Sequence, residues 1–227
     1  MIKNHITQML QGCRLLSDGG HDDFNQGQIS CRLPDGKFLI KSAMVGFASC
    51  SAEDFCICHV DPKAVLPKDA PPETSLHQAI YASRPDVNCI VHSHPESSIV
   101  FGATNYELKP ISHEGSYFHN NIGRFDESTN TILSISLGEA VADALGEMNA
   151  LFLCNHGIVI ASKTIRLSVI LALMLERACR IQLRAEALGT QYRTTSDKEV
   201  DEKKDYIYSD MAIRSYWKSA VRAIREP

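Results

Sequence analysis

Apolar positions fall into short runs with two periods, helical and alternating, that take turns along the chain. Ile2, Ile6, Leu10 and Cys13 recur at helical spacing, which predicts an amphipathic helix over residues 2–16, ended by Gly19 and Gly20. Residues 24–32 and 37–41 predict two short strands around a Pro34-Asp-Gly36 turn, a hairpin. A third strand is expected over 55–60. Asp61 to Pro72 holds four prolines and reads as a loop. Leu76, Ile80 and Tyr81 share one side of a helix over 74–83, which Pro85 ends. Val87 to His94 reads as a strand, and Ile99 to Asn105 is too mixed to assign. Ser136-Leu-Gly-Glu139 has the form of a capping box opening a helix with Val141, Leu145 and Met148 on one face. Strands are expected at 151–154 and 158–161, interrupted by Asn155-His156-Gly157. A long helix is expected from Thr164 to Leu188, with Gly189 after its end. Residues 190–205 are polar and read as a loop, and Ile213 to Ile224 as a terminal helix. Helices alternating with short strands predict a single α/β layered domain over 1–227 built on one sheet, with 190–227 a loop and helix extension.

Composition narrows the function classes. Hydrophobic residues make up 44% of the 227 and charged residues 22%, which excludes global disorder. The net charge of −4, with no basic arm, argues against nucleic acid as a partner. The longest apolar run, Val169 to Leu175, is far short of the roughly 20 residues of a membrane span, and no secretory leader is visible. Eight cysteines scattered through apolar runs read as reduced thiols of a cytoplasmic protein. Cys56, Cys58 and His59 could suggest a metal, but their apolar neighbours read as a strand, and a structural zinc site would want a second Cys/His pair.

The chemistry concentrates in three histidines and a glutamate. On a strand, residues i and i+2 project from one face about 6.5 Å apart, so His92 and His94 aim two imidazoles at one point. Pro95 stops that strand, placing the pair at a sheet end, where ligands of α/β sheets bind. His156 lies between apolar strands, where an imidazole is costly unless something satisfies it. Three histidines with an open fourth position are the ligand set of a catalytic zinc site. The alternatives are a pair of partly exposed strand histidines and a buried His156 bonded to a carbonyl. Glu73 opens the helix that leads into the histidine strand. It is either a fourth ligand or general base, or simply an acid favouring a helix dipole.

Taken together, Pro71-Pro-Glu73-Thr-Ser-Leu-His-Gln-Ala-Ile-Tyr81, then Arg84-Pro-Asp-Val-Asn-Cys-Ile-Val-His92-Ser-His94-Pro95, then Asn155-His156-Gly157 resemble the class II aldolase/adducin family over about residues 5–185. The resemblance implies an αβα fold around a mainly antiparallel sheet, a homotetramer, and one divalent metal per chain, Zn2+ or Mn2+. It implies His92, His94 and His156 as metal ligands and Glu73 as the acid/base that also touches the metal. In the family's sugar-phosphate aldolases, phosphate is held by a Thr-Ser-Gly-Asn stretch and by serines before the catalytic Glu. Here those places carry Asn25-Gln26-Gly27-Gln28 and Pro71-Pro72, and proline offers neither hydroxyl nor N–H. His113 stands where the aldolases bring in a tyrosine from a neighbouring subunit, and an imidazole is suited to acid/base work there. A surface role for His113 is the alternative.

The resulting expectation is a metal-dependent carbon–carbon lyase, most simply a decarboxylase of a hydroxylated or keto carboxylic acid, aromatic ones included, acting through a metal-stabilised enolate. Sugar-phosphate aldol cleavage or 4-epimerisation comes second. A non-catalytic, adducin-like interaction domain is the alternative of another class. Asn25, Gln26, Gly27 and Gln28 are the candidate substrate-binding residues, and the active sites are expected at subunit interfaces. Ile213, Trp217 and Val221 form an apolar stripe that must cover either the chain's own core or a neighbour's.

Overall fold

The predicted hairpin forms part of one seven-stranded sheet in a computed structural model that describes residues 2–224. Met1 and residues 225–227, which the single-domain assignment also spans, lie outside the described residues. The strands are β1 (Gln28–Leu33), β2 (Lys37–Lys41), β3 (Phe55–His59), β4 (Cys89–Ser93), β5 (Ile122–Phe125), β6 (Ala150–Leu153) and β7 (Gly157–Ser162). Their order is β3-β2-β1-β4-β7-β6-β5, and every neighbouring pair is antiparallel except β5 and β6.

Alternation of side chains sets two cores, one on each face. Ile29 and Cys31 of β1, Cys89 and Val91 of β4, and Ile158 and Ile160 of β7 face one side. That side is covered by α1 (Ile2–Leu16), α3 (Glu96–Gly102), α4 (His113–Phe118), α6 (Ile165–Ala187) and α8 (Asp210–Ala223). Ile90, Val159 and Ala161 face the other, under α2 (Thr74–Ser83) and α5 (Ile135–Leu145). The architecture is thus the expected mixed α/β domain, a mainly antiparallel sheet between two helical layers. Among the described residues no helix is long and apolar enough to cross a membrane. The cysteines are free thiols, and Cys58 is packed in the α2-side core, in keeping with a strand over 55–59.

Several elements differ from the sequence pattern, each for a physical reason. α3 runs from Glu96 into the stretch from Ile99 that could not be assigned, ending at Gly102, and its cap comes from far away. The Glu176 carboxylate, on α6, accepts the Ser97 and Ser98 amides at 3.1 and 2.9 Å. The Ser136 capping box does not form. Ser134 caps α5 instead, accepting the Leu137 amide at 3.2 Å, and Glu139 is exposed. α5 stops at Leu145 because Gly146 takes φ 52°, so Met148 lies beyond the helix. α4 and β5 lie between Asn105 and Ser136, a stretch for which the sequence pattern predicts no element. Part of the polar stretch 190–205 is helical: α7 (Asp197–Ile207) starts from a full Ser196/Glu199 capping box, and Val200 is its buried anchor. On α8, Ile213 and Trp217 are buried in this chain's own core.

Candidate metal centre

Three local structures deliver the four donors. His92 is the fourth residue of β4, on the α2 face, and is fully buried; His94 follows two residues on, just past the strand end. His156 sits in the tight connection between β6 and β7, where Leu153 pairs with Gly157. Asn155 holds φ 55° in that turn, a conformation asparagine tolerates better than most residues. Glu73 is the N-cap residue of α2 but makes no side-chain cap to its own helix. Its carboxylate instead points into the histidines, which decides against a purely dipolar role.

The four side chains each bring one ligand atom to a common point, all within 4.8 Å of one another. His92 Nε2 lies 3.1 Å from Glu73 Oε2 and 3.2 Å from His94 Nε2, and His156 Nε2 lies 3.4 Å from Glu73 Oε1. The outer nitrogens fix the tautomers. His92 Nδ1 donates to the Ile158 carbonyl at 2.9 Å, and His94 Nδ1 faces Asp23 Oδ2 at 3.0 Å. With those hydrogens on Nδ1, each Nε2 presents a lone pair inward. With two imidazole Nε2 atoms 3.2 Å apart beside a carboxylate, the donor chemistry fits a divalent ion.

The electrostatics agree. Burial pushes the Glu73 carboxyl up, but the His92 imidazole and the Ile132 amide, 3.0 Å from Oε1, outweigh it and hold it well below the carboxylate range. Burial pushes His92 down, but Glu73 outweighs it and raises it. His156 is pushed down to about 4, by burial first and then by His92; His94 moves down for the same reasons. A divalent ion among these atoms would compete with protons for the imidazole nitrogens.

Of the other predicted residues, Asn25, Gln26, Gly27 and Gln28 line one cleft of about 160 Å³ together with Pro71, Pro72 and Glu73. Their amides are partly spoken for: Asn25 donates to the Ala43 carbonyl at 2.8 Å and Gln28 to Glu73 Oε2 at 3.5 Å. Lys41 also borders the cleft, but its ammonium is fully buried and donates to the Asn25, Ser42 and Val45 carbonyls. His113 is not brought to this point. It opens α4 as an exposed side chain, and its carbonyl accepts from the Tyr208 hydroxyl.

Two supporting residues escaped sequence reasoning. Asp23 orients His94, and buried His21 bonds Ser93 Oγ at 2.9 Å, directly between the two ligands. Both follow α1, where the chain turns through Gly20 at φ 84°. They lie some seventy residues from the histidine strand, so no local spacing links them. Gly157 has a steric role: a Cβ there would meet the Ser93 carbonyl at 2.4 Å and His94 Cδ2 at 2.7 Å. Gly157→Ala is therefore expected to push β4 and β7 apart at the site, costing about 1–3 kcal/mol of stability and weakening divalent-ion binding. Thermal melting and a zinc titration check this, and an unchanged zinc affinity would show that the glycine is not needed for close approach.

Known proteins resemble the chain in the same terms. The class II aldolase and adducin N-terminal domain matches residues 7–183. The decarboxylase NovR of Streptomyces niveus is 30% identical over 115 residues, 51% of this chain and 43% of that protein. An L-fuculose phosphate aldolase of Methanococcus maripaludis is 27% identical over 177 residues, 78% of this chain and 94% of that one. The crystal structure of an aldolase II superfamily protein from Pseudomonas syringae superposes with a TM-score of 0.85 at 21% identity, covering 97% of this chain and 92% of that one. With the domain matched over most of its length, this chain belongs to the class II aldolase and adducin family.

Proposed function

We propose that this protein is a divalent-metal-dependent carbon–carbon lyase that decarboxylates a hydroxylated or keto carboxylic acid. The observation that carries the reading is the convergence of His92, His94, His156 and Glu73, with lone pairs turned inward, beside a cleft that offers no free cation. A bound Zn2+ or Mn2+ would act there as a Lewis acid on the substrate's oxygens. The three imidazoles would hold the ion, and the outer bonds of His92 and His94 keep their rings from turning. Glu73, ionised, would accept a proton from a substrate hydroxyl. The carbon–carboxylate bond would break with release of carbon dioxide. Glu73 would return the proton to the carbon left behind, and solvent would reprotonate the oxygen. Pro71 and Pro72 wall the cleft without donors, and Lys41 spends its ammonium on backbone carbonyls, so the cleft offers no phosphate grip. The interaction-domain alternative gives no reason to keep three inward-facing imidazoles with a carboxylate.

Aldol cleavage is the second reading, favoured by the similarity to an L-fuculose phosphate aldolase along nearly its whole length. His113 enters the proposal only as a group supplied by a neighbouring copy in a homotetramer, where it would handle the second proton transfer. The deciding experiment is a screen of metal-loaded protein against hydroxy and keto carboxylates and against ketose 1-phosphates. Release of carbon dioxide from an acid, lost on chelation, is the expected result. Efficient cleavage of a ketose 1-phosphate with competition by inorganic phosphate would replace this reading with the aldolase one. Turnover by metal-free protein would end both.

A further inference from the structure

Behind Glu73 a buried polar ladder runs away from the metal centre. Glu73, His77 and Tyr81 follow one another at intervals of four along α2, and Gln28, Ser30 and Arg32 at intervals of two along β1, so one stripe of the helix lies over one face of the strand. Their side chains meet rung by rung. Gln28 Nε2 is 3.5 Å from Glu73 Oε2. Ser30 Oγ is 2.7 Å from His77 Nδ1 and 2.8 Å from the Tyr81 hydroxyl. The Arg32 guanidinium lies 4.6 Å from the centre of the Tyr81 ring. His77 and Ser30 are fully buried, and Gln28 and Tyr81 nearly so.

Two buried atoms of adjacent rungs have no partner, His77 Nε2 and Gln28 Oε1. Buried polar groups of this kind are rarely left unpaired. Counting hydrogens fixes the direction of the ladder. The Tyr81 hydroxyl has Ser30 Oγ as its acceptor; Ser30 then donates to His77 Nδ1, which must be the bare nitrogen. The hydrogen of the neutral ring is therefore on Nε2. The opposite direction leaves the Tyr81 hydroxyl hydrogen, and Ser30 accepting from both leaves its own hydrogen, without an acceptor among the described residues. A single water accepting from His77 Nε2 and donating to Gln28 Oε1 would satisfy both orphan atoms. It would also hold the Gln28 amide with its N–H side toward Glu73, the orientation a carboxylate requires.

We infer that His77, as the Nε2–H tautomer, is a positioning residue that locks Gln28 through one fixed water and so holds the Glu73 carboxylate in place. Burial, and after it the nearby His92, holds His77 down at about 3, so the ring is neutral across the physiological range. The catalytic consequence rests on the lyase reading above; the ladder itself does not.

Three measurements test it. Nitrogen-15 NMR of the wild-type ring is expected to show the proton on Nε2 with Nδ1 bare. His77→Phe fills the space but removes both bonds. It is expected to weaken zinc affinity and lower kcat by about 10-fold or more, the lower range for loss of an outer partner of a metal site, with KM little changed. His77→Gln, whose amide keeps a donor at the Nε2 position, is expected to recover most of both. A proton on Nδ1, a His77→Phe protein with unchanged zinc affinity, or a stable His77→Gln protein as impaired as His77→Phe would overturn the inference. If His77→Phe does not fold, the wild-type spectrum and His77→Gln decide the matter. If no substrate is ever turned over, the lyase reading fails while ring tautomer and zinc affinity still decide the ladder.

Discussion

His92→Ala is expected to abolish stoichiometric metal binding and, with it, turnover. His92 is the hub of the centre, since its Nε2 touches both Glu73 and His94 and its ring lies 5.0 Å from that of His156. Removing it takes away one of three imidazole donors and leaves the Glu73 carboxylate, buried beneath the cluster, without the neighbour that most strongly holds it ionised. Loss of a mere outer partner of a metal ligand costs about 10–100-fold in affinity, so loss of this ligand should exceed 100-fold. Elemental analysis should fall from near one equivalent per chain to near none, and calorimetry should show the same. The fold should persist, because two separate hydrophobic cores flank the sheet and neither depends on the ion. Wild-type affinity should also fall as pH drops. His92 is raised above its ordinary value, so at lower pH its proton competes for the same lone pair. A His92→Ala protein that still carries one equivalent of metal would remove this cluster as the binding site.

Glu73→Gln is expected to separate holding the site together from moving a proton. An amide can mimic the carboxylate's contacts. Its oxygen can still accept the Ile132 amide, and an uncharged amide leaves the His92 Nε2 lone pair free for the ion. The fold and most of the metal should therefore remain. What disappears is a group that is ionised in the site and able to accept a proton. The expected result is a fall in kcat of roughly 10²–10⁴, typical of losing an acid/base group. Measured metal content separates this from simple loss of the ion. If kcat falls only in proportion to lost metal, Glu73 is a ligand and not a proton carrier.

The site was legible in the sequence wherever its logic is local. His-x-His before a proline announces two side chains on one strand face at a sheet end, because the two-residue period of a strand fixes that geometry. A glutamate after two prolines announces a helix start. These short-range rules placed His92, His94 and Glu73 on the right elements, and the order of the motifs brought in His156. The same rules failed where the determining contact is distant. Nothing near Ser97 and Ser98 signals that Glu176 will cap their helix. Ser136 and Ser134 both sit near the start of α5, and the chain's path decides that Ser134 is the cap.

The sequence by itself determined the alternating elements and the two-faced sheet, because those follow from periodicity. It singled out His92, His94, His156 and Glu73 as candidate donors through the strand spacing of the first two and the family resemblance of the motifs together. Only the tertiary structure decided that the donors converge within 4.8 Å, and that Asp23 and His21 brace the histidine strand from the end of α1. It alone joined α2 to β1 through a polar ladder, and kept His113 outside the cluster. It also settled Trp217 onto the chain's own core. The reason is the same in each case: a strand or helix period constrains neighbours a few residues apart. Contacts between residues seventy apart are set by how the layers pack around the buried sheet.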